Sequence, residues 1–271
     1  MFIVKSCQSQ YNPMVGNTIR IGSMDEYRQT ENQEIADKGE ATYSFNVHLT
    51  NAHIPEQLFK NLMHGTGTLT DCMVTTLNGF TRSPIRKDHV IVREMRSQTF
   101  WNGLNCLVFC MSCLDAPEEA SELFNSYDDY WYFDEENLQK VGELIRKQVE
   151  IKLKQDMLAS GTSKGKALSK RFKCKLKIQK VTYSSRHINI RNKSTDERNL
   201  KFLLELIENF RYLKPEKFSH EKEVRFIFEC FDDQKLIVHN LKSIIIDATS
   251  IIPLLKSKTT QPASDLQKSG G

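Results

Sequence analysis

A continuous apolar run at residues 105–113 (NCLVFCMSC) constrains the fold of this 271-residue chain more than any other feature. A strand exposed on one face alternates apolar and polar residues, whereas an unbroken apolar run of this length predicts a strand buried on both faces. Such a strand lies inside a sheet with other elements packed on either side. No stretch approaches the roughly 18 apolar residues of a membrane-spanning helix, so we expect no membrane association.

The patterns around this run place strands first, helices next and strands again at the end. This order predicts an α+β fold. We expect one domain over residues 1–256, with a central mixed or antiparallel sheet and helices, and a flexible polar tail over residues 257–271. Helical spacing of apolar residues covers 134–160 and 200–213, a helix start falls at Pro117, and strand patterns cover 2–5, 18–23, 41–49, 89–94, 172–178, 223–230, 236–239 and 241–247.

The net charge of +4 conceals two segregated stretches. Residues 114–139 contain nine acids and no Lys or Arg, whereas residues 157–193 contain eleven bases and no acid. Within the second stretch, residues 164–180 place eight Lys or Arg around one predicted strand, with Lys173, Lys175 and Lys177 on a solvated face. This pattern predicts a nucleic-acid surface, protection of a sheet edge, or contact with the acidic stretch in the fold or in a partner.

Seven cysteines without the density of a disulfide scaffold predict reduced thiols. The N-terminal segment MFIVKSCQSQ is too short and too soon polar for a secretory signal, so we expect a cytoplasmic protein. Cys106, Cys110 and Cys113 have the spacing of an iron–sulfur motif, but they lie in an apolar strand where the third cysteine faces away from the first two. We therefore expect no metal site.

A Glu-Lys-Glu segment at the start of a late strand carries the strongest chemical signal. Alternation through residues 218–229 places apolar side chains on one face and Glu221, Glu223 and Arg225 on the other. Carboxylates at the entrance of a buried strand can hold a sugar hydroxyl and stabilise an oxocarbenium-like ribose, which NAD-dependent ADP-ribosyl transfer requires. The alternative is an edge strand whose charged start is solvated.

An arginine on an early strand is the second chemical signal. In residues 19–28 (IRIGSMDEYR), Arg20 lies between two isoleucines and therefore points away from them. Gly22 and Ser23 end that strand where a backbone can approach a ligand. Arg binds pyrophosphate well, so this segment predicts a phosphate clamp, with a solvated strand face as the alternative.

The order Arg20, Ser112, then Glu221 and Glu223 resembles the Arg–Ser–Glu order of ADP-ribosyltransferases, although Cys110 and Met111 replace the start of the family's Ser-Thr-Ser triplet. The resemblance implies an ADP-ribosyltransferase-like fold and NAD as the substrate. In that case Glu223 is the catalytic carboxylate, Glu221 positions the nucleophile or ribose, and Ser112 supports the nicotinamide ribose.

The same resemblance implies a set of residues that bind NAD. Arg20 would clamp the phosphates, and Tyr27 or Tyr130 would stack on the nicotinamide. Ser23 and Arg28 complete the set, because they lie in the same early segment.

A second resemblance covers most of the chain. The segments RIGSMDEYR, D-x-G-E (Asp37, Gly39 and Glu40), CMSC, YDDYWYF, VTYSS and FSHEKEVRFIF are similar, in this order, to an uncharacterised bacterial family whose genes lie near mobile elements and phage-defence loci. This resemblance implies a toxin or antiviral-defence effector with a protein or nucleic-acid target, restrained by an inhibitory partner or held among defence-complex subunits. Two alternatives stay open: a nucleic-acid-binding or nuclease-like effector that uses residues 164–180, and a non-enzymatic subunit of a defence assembly.

Overall fold

The computed structural model describes residues 1–29, 39, 41–64, 73–192, 204–205, 209–238 and 240–258. The fold is mixed α+β, as the order of the sequence patterns predicts. Contacts between Cα atoms divide the chain into two compact units, the first formed by residues 1–37, 105–181 and 220–271 and the second by residues 38–104 and 182–219. That the two units fold as one domain over residues 1–256 stays a prediction.

Strands outnumber α-helices among the described residues. The strands, in chain order, are β1 (Phe2–Cys7), β2 (Thr18–Ser23), β3 (Thr42–Pro55), β4 (Met73–Arg82), β5 (His89–Asn102), β6 (Leu107–Leu114), β7 (Asp129–Asp134), β8 (Phe172–Lys180), β9 (Thr182–Tyr183), β10 (His187–Arg191), β11 (Leu213–Lys214), β12 (Glu223–Asp232), β13 (Lys235–Ile237), β14 (Ile244–Asp247) and β15 (Lys256–Ser257). The helices are α1 (Pro13–Gly16), α2 (Met24–Gln29), α3 (Glu56–His64), α4 (Ala120–Leu123), α5 (Leu138–Ala159) and α6 (Ser163–Arg171).

The first unit is built on a nine-stranded sheet with the order β13-β12-β6-β1-β7-β15, in which β8 pairs with the other edge of β12, and β2 pairs with both β6 and β14. Its strand pairings are antiparallel. The second unit contains a four-stranded sheet with the order β10-β3-β5-β4, in which β10 runs parallel to β3. The first sheet is therefore antiparallel and the second is mixed.

Helix α5 covers one face of the nine-stranded sheet. Its buried residues Val141, Ile145, Val149 and Leu153 recur at helical spacing, as predicted, and join the main apolar core. Gly142 lets the helix approach closely, since a Cβ there would come within 2.6 Å of Ile178 Cδ1. The helix therefore packs directly on β8 and on Phe226 of β12.

Strand β6 lies in the centre of this sheet, as its apolar run predicts. Every residue of β6 is buried except Cys110, which is partly exposed. The strand pairs with β12 on one edge and with β1 and β2 on the other.

Several elements differ from the sequence predictions. Residues 129–134, expected only as an acidic, aromatic segment, form the buried strand β7, which pairs with β1 and β15. Residues 164–180 do not form one strand, since Lys164 to Arg171 belong to α6. Residue 257 does not begin a free tail, because Ser257 lies in β15 and bonds Asn12 at 2.7 Å.

The predicted helix over residues 200–213 falls largely outside the described residues. Within it, the structure describes a helical pair at 204–205, a short 3₁₀ turn at Phe210–Tyr212, and the start of β11 at Leu213. The predicted helix therefore does not extend to Leu213. Within the described chain, no helix has the length and apolar character needed to cross a membrane.

Candidate functional site

Strands β2, β6 and β12 direct three predicted site residues to one face of the sheet. Glu223 on β12 lies directly opposite Ser112 on β6, and Gly22 on β2 lies opposite Val108 on β6. Residues paired across antiparallel strands point to the same face, as do residues two apart in one strand. Arg20, two residues before Gly22, therefore shares the face of Ser112 and Glu223, which is opposite to the face that α5 covers.

The sheet splits beside Cys110. On one edge of β6, β1 pairs with residues 112–114 and β2 pairs with residues 107–108, so no described strand pairs with residues 109–111 there. Strand β2 leaves β6 at this point, since Arg20 pairs with Ile245 of β14 instead. At this unpaired position the Cys110 carbonyl accepts a hydrogen bond from the Lys5 ammonium at 2.9 Å.

Tyr27 on α2 lies over the start of this split. A Cβ on Gly22 would come within 3.3 Å of a Tyr27 ring atom, so the absence of a side chain at Gly22 lets the ring pack against the strand. Burial, together with the nearby Cys110 thiol and Glu223 carboxylate, raises the pKa of Tyr27 well above its usual value, and Arg225 opposes this shift. The tyrosine hydroxyl is therefore a neutral hydrogen-bonding group at physiological pH.

Cys110 connects Tyr27 to Glu223. Burial and the Glu223 carboxylate raise the pKa of the Cys110 thiol, while Arg225 and Lys5 act in the opposite direction. The Cys110 thiol lies within hydrogen-bonding reach of both Glu223 and Tyr27. The raised pKa disfavours the thiolate that nucleophilic attack needs, so the Cys110 thiol is protonated at physiological pH.

Glu223 forms a buried ion pair with Arg225. Arg225 Nε donates to Glu223 Oε1 at 2.7 Å, and the two side chains are 2% and 4% exposed. Removing one partner of such a pair leaves the other charge buried and unpaired, which is strongly destabilising. The carboxylate is therefore held in one position by a charged hydrogen bond, as a preorganised electrostatic group requires.

Glu221 does not lie on the strand with Glu223, which corrects the prediction that both share one strand face. Glu221 ends a 3₁₀ helix over Glu216–Glu221, and Lys222 has a positive φ of 46° before β12 begins at Glu223. This left-handed residue changes the chain direction between the two glutamates. Both are buried nonetheless, at 6% and 4% exposure, so the alternative of a solvated edge strand is also wrong.

The other predicted residues of the early segment have local roles. The Arg20 side chain is 58% exposed and forms an ion pair with Glu26. Arg28 pairs with Asp25 at 2.6 Å. Ser23 is fully buried, and its hydroxyl accepts the backbone N–H of Glu26 at 3.2 Å, which makes it the cap of α2. Arg20 alone among these three presents a largely exposed side chain on the face of Glu223.

Tyr130 shares the sheet face of Ser112 but lies two strands away. Strand β1 separates them, with Val4 opposite Ser112 and Ser6 opposite Tyr130. Neighbouring strands are about 4.8 Å apart, so the Tyr130 ring lies farther from the split than the Tyr27 ring, which packs against Gly22. Burial and Glu118 raise the pKa of Tyr130 to about 12.

The cysteines of residues 106–113 do not converge. Cys106 lies before β6, the Cys110 thiol points to Glu223, and Cys113 belongs to the core on the α5 face. Among the described residues, no group of three or more His, Cys, Asp or Glu side chains is arranged to hold a metal ion.

Sequence reasoning did not assign Arg225, Cys110 or Lys5 to the site. The alternating pattern along β12 placed Arg225 on the same face as the glutamates. This was the one sequence signal that Arg225 pairs with Glu223. Lys5 and Cys110 are 105 residues apart in the chain, so their contact follows from strand order and not from any local pattern. No family model, curated protein or solved structure matches the chain.

Proposed function

We propose that the chain is an NAD-using effector, an ADP-ribosyltransferase or an NAD-cleaving enzyme, whose active site is the split in the sheet beside Cys110. One observation carries this proposal: Arg20, Ser112 and Glu223 point from three neighbouring strands to one sheet face, and Tyr27 packs beside them. In the proposal Arg20 is the phosphate clamp, Ser112 the ribose contact, Glu223 the carboxylate that stabilises the cationic ribose, and Tyr27 the stacking ring.

In this proposal the bond between the ribose C1′ atom and the nicotinamide nitrogen breaks, and the electron pair leaves with nicotinamide. The cationic ribose that forms is stabilised by the negative charge of Glu223, which Arg225 holds in place at 2.7 Å. Water or the hydroxyl or amine of an acceptor then attacks C1′ and loses a proton. Glu221, buried just before β12, positions the ribose or the attacking group.

The remaining residues bind the substrate. Arg20, which is exposed, exchanges its ion pair with Glu26 for the pyrophosphate of NAD. The Tyr27 ring stacks on the nicotinamide, and Ser112, directly opposite Glu223, contacts the nicotinamide ribose. Ser23 supports Tyr27 through the cap of α2 and does not contact NAD itself.

The test is release of free nicotinamide from NAD by the purified chain and by Glu223→Gln, which keeps a hydrogen-bond acceptor for Arg225 but removes the charge. Glu229→Gln is the matched control. Glu229 lies on the same strand and the same face, is similarly enclosed with its side chain 9% exposed, and pairs with Lys177 at 3.2 Å. Loss of release in Glu223→Gln alone supports the proposal, whereas equal loss in both variants contradicts it.

We also propose that this activity belongs to a cytoplasmic toxin or antiviral-defence effector held in check by a partner, on the basis of the second resemblance. Inducing the chain in bacteria tests this role. We expect growth arrest with a fall in cellular NAD for the wild-type chain, and normal growth for Glu223→Gln at equal expression. Normal growth with wild-type NAD levels in both would contradict it.

A further inference from the structure

The outer face of β8 presents a row of exposed lysines at an open sheet edge. Phe172 and Cys174 point into the core, whereas Lys173, Lys175 and Lys177 alternate with the core residues and are exposed. Residues two apart on a strand are about 6.8 Å apart, so the three ammonium groups form a regular line. Within the described chain β8 pairs only with β12, and the other edge of β8 is uncovered by any strand.

An aromatic ring from β12 lies among these lysines. Phe231 is directly opposite Lys173 and therefore shares its face. The ring is partly exposed, and the Lys175 ammonium lies 4.8 Å from its centroid. The sequence showed little aromatic interleaving in residues 164–180, because the ring that joins the lysines comes from a distant part of the chain.

Internal partners neutralise little of this row. Lys177 pairs with Glu229 at 3.2 Å, and 56% of the Lys177 side chain stays exposed to solvent. Lys173 lies in no described ion pair or hydrogen bond. The row thus retains positive charge that a ligand can use.

We propose that the lysine row and Phe231 form a binding surface for single-stranded nucleic acid. Phosphates contact Lys173, Lys175 and Lys177, and a base stacks on the partly exposed Phe231 ring. Surfaces for single strands combine a basic track with an aromatic ring, because every base offers a flat apolar face. An acidic polypeptide matches the positive charge of the lysines, but its carboxylate side chains offer no flat face that could stack on the Phe231 ring. This proposal is independent of the proposed NAD cleavage, because nucleic-acid binding is measured in the absence of NAD.

The test is fluorescence anisotropy with a labelled oligothymidine about 12 nucleotides long, within the usual site size. The test variant is the triple charge reversal Lys173→Glu, Lys175→Glu and Lys177→Glu. The matched control is the triple reversal of the α6 residues Lys164, Lys166 and Lys170, which are also exposed and change the net charge equally, but lie on a helix that packs against α5. Phe231→Leu tests the ring at similar volume.

We expect the β8 triple variant to lose nearly all binding and the α6 control to stay within about threefold of wild type. Phe231→Leu weakens binding by about 5- to 150-fold, the range measured for loss of one stacked base. Three phosphate contacts predict a slope of about −2 for log K against log salt. Equal losses in the two triple variants, equal binding of a matching duplex or of polyglutamate, or no effect of Phe231→Leu would each overturn the proposal.

Discussion

Glu223 and Arg225 lie two positions apart on β12, where both charged side chains are almost completely enclosed. Loss of one partner from a buried ion pair costs about 3–5 kcal/mol, because the remaining charge stays buried without compensation. We expect Glu223→Ala to lower the free energy of unfolding by about this amount. Glu223→Gln costs less, since its amide oxygen still accepts from Arg225. Urea denaturation measures both, and an unchanged stability in Glu223→Ala would contradict the buried pair.

Tyr130 gives a prediction about alkaline pH. Its pKa is raised from 10.0 to about 12 by burial and by Glu118. The folded protein therefore keeps this proton at pH values where the unfolded chain releases it. The resulting stability is fully present below pH 10 and is lost as the pH rises toward about 12. Tyr130→Phe should flatten part of this decline in unfolding experiments. An identical alkaline decline in the variant would show that Tyr130 does not contribute.

At the scale of single elements, substitutions at two helix caps distinguish a loss of stability from a loss of activity. The Ser23 hydroxyl accepts from Glu26 N at 3.2 Å on α2, and the Thr162 hydroxyl accepts from Gly165 N at 3.0 Å on α6. Removing either cap by substitution with Ala costs about 0.5–2 kcal/mol of stability. Only Ser23→Ala loosens the helix that carries Tyr27, so only this variant should slow nicotinamide release. Similar rates of nicotinamide release in Ser23→Ala and Thr162→Ala would contradict a role for Tyr27 in the site.

Elements with a strong local pattern could be predicted from the sequence, and contacts between elements could not. The periodicity of α5 and the alternation of β8 each describe one element, and both agree with the structure. Strand β7 was missed because its four aromatic residues neither alternate with polar ones nor, flanked by Asp129 and Asp134, form an apolar run as long as that of β6. Phe231 and Lys173 become neighbours only through the pairing of β12 with β8.

The site shows the same limit. Alternation along residues 218–229 placed Glu223 and Arg225 together, as the structure does. The same alternation also placed Glu221 on that face, which fails because the left-handed backbone at Lys222 interrupts the strand. Lysine rarely adopts that conformation, so no residue preference could have indicated the turn. The split beside Cys110 depends on where β1 and β2 leave β6, which is a property of the whole sheet.

At the scale of the whole molecule, the division into two compact units leaves the prediction of a single domain to an unfolding experiment. Each unit consists of separate chain segments, because the chain passes between the units after residues 37, 104, 181 and 219. Neither unit is a continuous segment that can fold before the rest of the chain is in place, so we expect one cooperative unfolding transition.

The two tryptophans report on the units separately, since Trp131 belongs to the first and Trp101 to the second. In Trp101→Phe and in Trp131→Phe, the fluorescence of the remaining tryptophan and the far-ultraviolet circular dichroism should change at the same urea concentration. Two separated transitions within either variant would show that the units unfold independently.

The most direct test of the proposed enzyme is the rate at which the purified chain releases nicotinamide from NAD. Removing a preorganised electrostatic group from an active site slows catalysis by about 10²- to 10³-fold. We predict a loss of this size in Glu223→Gln and a wild-type rate in Glu229→Gln. No release by the wild-type chain, or equal rates for the wild-type chain and Glu223→Gln, would contradict NAD cleavage at this site.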